Sequence, residues 1–70
     1  MSQITVPSAM SAGLWVKRIL RHWPGTTVVV RPAKDGFYEV TLYDESGAKI
    51  EDEGRNTELE EMYLAYGDNV

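Results

Sequence analysis

The chain has 70 residues, of which 11 are acidic and 7 are basic, and its formal net charge is −4. A chain of this length holds one small domain and buries only about 60% of the surface that its unfolded form exposes. It has no cysteine and one histidine, which excludes a disulfide scaffold, a thiolate zinc site and a cysteine nucleophile. We therefore expect one domain over residues 1–70, with an irregular or short extended lead-in at 1–7 and a frayed tail at 68–70.

The first predicted element is an amphipathic helix with a serine cap, either Ser8 or Ser11. Its apolar residues recur at the spacing of one helical face: Ala12, Trp15, Val16, Ile19, Leu20 and Trp23. The Trp-Pro-Gly sequence at 23–25 ends the helix, because the residue before a proline avoids the α conformation.

Three strands and a second helix are predicted next. β-Branched residues predict a strand over 26–31, strict alternation predicts a strand over 37–43, and a short charged segment predicts an edge strand over 48–51. Both connections are of hairpin length, so the strands are expected to form a meander. Thr57 and Glu60 have the spacing of a capping box that begins the second helix, and Gly67 is its expected end.

The predicted element order is α-β-β-β-α. The predicted fold class is α+β, with a three-stranded antiparallel sheet and two helices packed on one of its faces. The predicted core consists of the large apolar residues that these patterns turn inward: Trp15, Ile19, Trp23, Val28, Val30, Val40, Leu42, Ile50, Leu59, Met62 and Tyr63.

Charge is divided unequally along the chain. Residues 1–34 carry five cations and no acid, whereas residues 35–70 carry all eleven acids and two cations, a net charge of −9. The segment 44–61 has a net charge of −6, and its acids are Asp44, Glu45, Glu51, Asp52, Glu53, Glu58, Glu60 and Glu61. A dense carboxylate surface can occupy an Arg/Lys-lined channel that is meant for phosphates. The alternative is a solubilising surface that includes helix-capping acids.

A second candidate surface is the back of the first helix, with Met10, Leu14, Lys17, Arg18 and Arg21. Exposed apolar residues beside arginine favour a protein contact, and the same cations could meet a nucleic-acid backbone. The alternative is that Met10 and Leu14 pack under residues 1–7 and the cations are merely solvated.

The outer face of the sheet is a third candidate. It presents Val29, Arg31, Phe37, Thr41 and Tyr43. Aromatic residues there could stack on bases or mediate self-association. Ordinary cross-strand packing is the alternative.

In element order and length the whole chain resembles the double-stranded-RNA-binding domain. That family opens its second helix with a lysine cluster that holds phosphates across a groove. The matching segment here, 54–61, carries Glu58, Glu60 and Glu61, and these carboxylates repel phosphates. The resemblance therefore concerns topology, and the RNA-binding residues of the family do not carry over. In size and acidic character the chain is also similar to small phage-encoded inhibitors of host machinery, such as anti-CRISPR and anti-restriction proteins.

Together these patterns favour a non-enzymatic, protein-binding inhibitor. The sequence has no phosphate loop or cofactor fingerprint, and 70 residues leave little room for a pocket that excludes water. We expect no cofactor and no metal, and a partner protein or ribonucleoprotein with a basic surface. The alternatives are a small nucleic-acid-binding module that uses the first helix, and a homodimeric accessory domain. No apolar stretch approaches the about 20 residues needed to span a membrane, so we expect a cytoplasmic protein.

Overall fold

A computed structural model describes residues 2–50 and 52–67. Its elements follow in the order β1 (Gln3–Val6), α1 (Ala9–His22), β2 (Thr27–Pro32), a short 3-10 helix (Lys34–Gly36), β3 (Tyr38–Tyr43) and α2 (Glu53–Tyr66). Strand β3 is central, and β1 and β2 pair with it on either side in antiparallel orientation. The predicted α+β class, with a three-stranded antiparallel sheet and two helices, is confirmed. The predicted frayed tail at 68–70 lies outside the described residues.

The third strand of the sheet comes from the start of the chain. The expected lead-in forms β1, in which Ile4 lies opposite Val40 of β3. In the described residues the strand predicted over 48–51 is reduced to a single bridge between Tyr43 and Lys49. Strand β1 places two buried side chains, Ile4 and Val6, in the core, and this alternation stabilises its register against β3. The described elements therefore run β-α-β-β-α.

Helix α1 begins and ends where its sequence predicts. The Ser8 hydroxyl oxygen accepts a hydrogen bond from the Ser11 backbone N–H at 3.1 Å, so Ser8 is the N-cap and Ser11 lies buried in the first turn. At the other end the Trp23 backbone N–H donates to the Ile19 carbonyl at 2.8 Å, and Pro24 follows. Serine at the cap satisfies a backbone donor that would otherwise lack a partner.

Helix α2 begins earlier than predicted, at Glu53. Its N-cap is Asp52, whose carboxylate accepts a hydrogen bond from the Gly54 backbone N–H at 2.9 Å. The predicted capping box of Thr57 and Glu60 therefore lies inside the helix. Aspartate and threonine are both good N-caps, and residues 53–57 continue the helix towards the upstream cap.

The core lies between one face of the sheet and both helices. Its buried apolar residues are Ile4, Val6, Ala12, Trp15, Ile19, Val40, Leu42, Ile50 and Leu59. Partly buried residues that pack around them are Val16, Trp23, Val28, Tyr38, Met62 and Tyr63. Val30, which was predicted to lie in the core, is the cross-strand partner of the fully buried Val40 but is itself 41% exposed, so the helices do not cover this part of β2.

The two helices run antiparallel across the sheet. In the middle of α1, the Trp15 indole Nε1–H donates to the Gly67 carbonyl at 2.8 Å, and its ring lies 5.9 Å from that of Tyr63. Near the end of α1, His22 Nε2 lies 2.9 Å from Glu58 Oε1. Gly67 ends α2 with a φ of 53°, a left-handed conformation that glycine adopts without strain.

Replacing Ile4 with alanine tests the role of β1. We expect Ile4→Ala to lower the free energy of unfolding by about 2–5 kcal/mol, because it leaves a cavity in the core. The matched variant Val30→Ala removes a half-exposed side chain and should lower it by less than about 1 kcal/mol. Urea unfolding monitored by tryptophan fluorescence measures both changes. A larger loss for Val30→Ala than for Ile4→Ala would contradict the observed core.

Candidate functional site

Two of the acids predicted to form a patch stabilise local backbone structure. Asp52 caps α2, and Asp44 organises the turn after β3. Asp44 Oδ1 accepts hydrogen bonds from the Ser46 hydroxyl at 2.6 Å and from the Ser46 and Ala48 backbone N–H groups at 2.9 Å. The Ser46 hydroxyl, followed by the Ala48 N–H, lowers the pKa of the Asp44 carboxyl below its ordinary value because hydrogen bonds to the ionised form stabilise it.

Two further acids contact the first half of the chain. The Glu45 side chain lies against Gly25, where an added Cβ would be 3.2 Å from Glu45 Cγ. Glu58 forms an ion pair with His22 when the imidazole is protonated, and both side chains are nearly half exposed. Such exposed pairs contribute about 0–1 kcal/mol. Glu51, the third acid of the predicted patch before α2, lies outside the described residues.

The remaining acids lie on the outer surface of α2, which we call the acidic face. It consists of Glu53, Thr57, Glu60, Glu61 and Leu64. At 100° per residue these positions span an arc of about 100° on the side away from the buried Leu59, and all five are exposed. Within residues 2–50 and 52–67 the only ion pair is that of His22 and Glu58, so the three glutamates of this face have no cation beside them there.

An exposed leucine lies among these glutamates. Leu64 is 77% exposed and follows Glu60 and Glu61 by four and three residues, the spacings at which helical side chains are neighbours. The apolar stripe of the predicted helix does not include Leu64. Its five-residue spacing from Leu59 places the two side chains about 140° apart on a helical wheel, and both lie within the helix that the sequence predicts, so this spacing is the signal that could have identified it.

The outer surface of α1 carries four of the five residues predicted for the second candidate. Met10, Leu14, Lys17 and Arg21 lie within an arc of about 60°, and we call this surface the basic face. Met10 is 77% exposed and Leu14 41% exposed. The alternative in which residues 1–7 cover these two side chains is therefore wrong.

Arg18, the fifth predicted residue, lies between the helices. Its guanidinium carbon is 4.0 Å from the centre of the Tyr66 ring, a cation–π contact. Its Nε atom is buried and has no hydrogen-bond partner in the described part of the chain. Arg55 of α2 has a similar but longer contact with the Trp23 ring, at 5.9 Å. These two cations therefore connect the helices and do not belong to the basic face.

The outer face of the sheet is not covered by the helices and has mixed charge. Arg31 and Glu39 are cross-strand partners there, and Val29 lies opposite Thr41. Phe37, just before β3, is 42% exposed. Surfaces that bind single-stranded nucleic acid are basic and carry aromatic side chains that stack on bases. The Glu39 carboxylate in the middle of this face therefore argues against such binding.

Comparison with protein-family models, curated proteins and solved structures found no match to this chain. No helix in the described residues has the length and apolar character needed to cross a membrane. Nor does this part of the chain contain a cluster of three or more side chains able to hold a metal ion. The surface formed by residues 2–50 and 52–67 has no pocket.

Replacing Asp44 with alanine should make thermal stability less dependent on acid pH. Because the folded-state pKa of Asp44 is lowered, its contribution is present above the unfolded-state pKa of about 3.9 and is lost as pH falls through the lower folded value. We expect the wild type to exceed Asp44→Ala in Tm by a constant amount above about pH 5, and the difference to narrow below about pH 3. Thr57→Ala, at an exposed position without a titratable group, is the control and should give a Tm difference that does not change with pH. A Tm difference between the wild type and Asp44→Ala that is independent of pH would contradict the lowered pKa of Asp44.

Replacing Arg18 with alanine tests its place between the helices. Arg18→Ala should lower the free energy of unfolding by about 1 kcal/mol, because it removes the contact with Tyr66 and the packing of the side-chain stem. Lys17→Ala, one residue away on the basic face, should change it by less than about 0.5 kcal/mol. Equal effects of the two substitutions in chemical unfolding would place Arg18 on the free surface.

Proposed function

We propose that this protein is a non-enzymatic binding protein that docks through the acidic face of α2 onto a basic surface of a nucleic-acid-binding protein or ribonucleoprotein in the cytoplasm, and thereby blocks that surface. The observation that supports this proposal is the row of Glu53, Glu60 and Glu61 along the exposed side of one helix, without a paired cation in the described residues. A helix anchored on the core presents these charges without first having to be ordered, which favours binding.

The charges of the acidic face suit a surface that binds phosphates. Lysine and arginine side chains that bind a nucleic-acid backbone gain affinity by releasing condensed counterions. A row of carboxylates on a helix can engage the same cations and steer the two proteins together. The blocked surface would then be unable to bind its nucleic acid.

Leu64 adds a feature that a nucleic-acid backbone lacks. Its side chain is 77% exposed beside Glu60 and Glu61, so a partner can bury an apolar group at the end of the row of charges. A fully buried apolar group contributes more to affinity than exposed ion pairs at the rim of an interface. This arrangement favours a protein partner with an apolar recess beside its cations.

The position of Arg18 weakens the alternative of direct nucleic-acid binding through α1. Because Arg18 packs against Tyr66, the outer surface of α1 retains Lys17 and Arg21 beside two exposed apolar residues. Nucleic-acid-binding surfaces usually present a larger cluster of cations.

Reversing two charges of the acidic face tests the proposal. Tagged wild-type protein is used to capture partners from a lysate of its native host, and duplex DNA and RNA fragments are then added as competitors. We expect a nucleic-acid-binding protein that either competitor displaces and that Glu60→Lys/Glu61→Lys fails to capture. The control Glu39→Lys/Glu45→Lys has the same change in charge away from this face and should retain the partner.

Three outcomes would contradict the proposal. Capture that survives Glu60→Lys/Glu61→Lys would show that the acidic face is not the docking site. Loss in the control as well would indicate a non-specific charge effect. A partner that neither competitor displaces would not be bound through its nucleic-acid surface. Circular dichroism confirms that each variant is folded.

A further inference from the structure

We propose that this protein forms a symmetric dimer in which the basic face of α1 in one copy lies against the acidic face of α2 in the other. The two faces belong to the same chain and complement each other. One carries Lys17 and Arg21 beside exposed apolar residues, and the other carries Glu60 and Glu61 beside the exposed Leu64. A second copy of the chain therefore supplies both the opposite charges and an apolar contact.

The heights of these residues along the helix pair also agree. Trp15 contacts Gly67 and Tyr63, whereas His22 contacts Glu58. The middle of α1 is thus level with the last turn of α2, and the end of α1 is level with Glu58 in the first half of α2.

At matching heights, the two faces carry residues that can pair with each other. Leu14 lies within about one helical turn of Leu64 in height, and the heights of Lys17 and Arg21 bracket those of Glu60 and Glu61. Leu14 therefore has an apolar group near its height on the neighbouring helix, and the two cations have two carboxylates.

A two-fold axis parallel to the helices generates two equivalent contacts between α1 of one copy and α2 of the other. If two copies stack through their outer helical surfaces about such an axis, α1 of each copy lies over α2 of the other, antiparallel and at the same height. Leu14 then faces Leu64 of the second copy, and Lys17 and Arg21 face its Glu60 and Glu61. Because the contact is isologous, it closes at two copies and does not extend into a filament.

This inference does not rest on the proposed function. Self-association covers the acidic face, so a dimer and a complex with a basic partner are mutually exclusive states of one surface. The variant Lys17→Glu/Arg21→Glu separates them, because it removes the cations required for the dimer and leaves the acidic face intact.

A charge-swap experiment tests the dimer. Sedimentation equilibrium at low salt measures the dissociation constant of the wild type, of Lys17→Glu/Arg21→Glu and of Glu60→Lys/Glu61→Lys. We expect each variant alone to dissociate at least about tenfold more readily than the wild type, because like charges then meet across both halves of the interface. In an equimolar mixture each altered face of one variant meets a complementary face of the other, so a heterodimer of near wild-type affinity should form.

Matched controls change the same charges elsewhere. Arg31→Glu/Lys34→Glu and Glu39→Lys/Glu45→Lys should each retain the wild-type dissociation constant. A wild type that remains monomeric at millimolar concentration would overturn the proposal, as would a dimer that both face variants preserve or a mixture that fails to associate. The sedimentation results test only the dimer. Capture of a basic partner by Lys17→Glu/Arg21→Glu tests only the proposed function, so either proposal can fail while the other stands.

Discussion

The buried Trp15 indole sets the arrangement of both helices. Its side chain is fully buried, and its N–H reaches the carbonyl of Gly67 at the end of α2. A buried N–H without a partner is costly, so this hydrogen bond favours one position of α2 relative to α1. Gly67 accepts it where the helix ends and its carbonyl is free of intrahelical bonding. The outward direction of the acidic and basic faces follows from this contact, since each face is the side of its helix turned away from the core.

Sequence patterns predict those elements whose burial is encoded locally. Helix α1 and strands β2 and β3 follow from their periodicity and their turn residues, and Gly67 ends α2 as expected. Strand β1 could not be predicted in the same way, because Ile4 and Val6 are too few apolar residues to mark a strand. Its place at the edge of β3 depends on a pairing with residues more than 30 positions away. The predicted start of α2 was wrong for a related reason. Asp52 and Thr57 can both cap a helix, and the sequence alone does not show which of them does so.

The sequence predicts which segments carry the charged residues of the candidate surfaces, but not which of these residues share one surface. Charge counting locates eight of the eleven acids in residues 44–61, yet it cannot tell which carboxylates have local partners. Asp44 and Asp52 bond to backbone N–H groups, and Glu58 lies beside His22. Arg18 lies about 100° from Lys17 and about 60° from Arg21 around the helix axis, and this rotation directs it towards Tyr66 of α2. Such assignments depend on how the two helices are packed, which no single helical wheel contains.

The two proposals assign the acidic face of α2 to two different contacts, which compete with each other. By mass action, a dimer that hides Glu60 and Glu61 reduces the fraction of protein able to bind a partner, and the apparent affinity for that partner falls in proportion. Exposed ion pairs and a few apolar contacts form weak interfaces. A weak dimer dissociates on dilution, so the acidic face becomes accessible when the protein is scarce and is covered when it is abundant. In the proposed dimer, the basic face of the second copy thus competes with the partner for the same carboxylates.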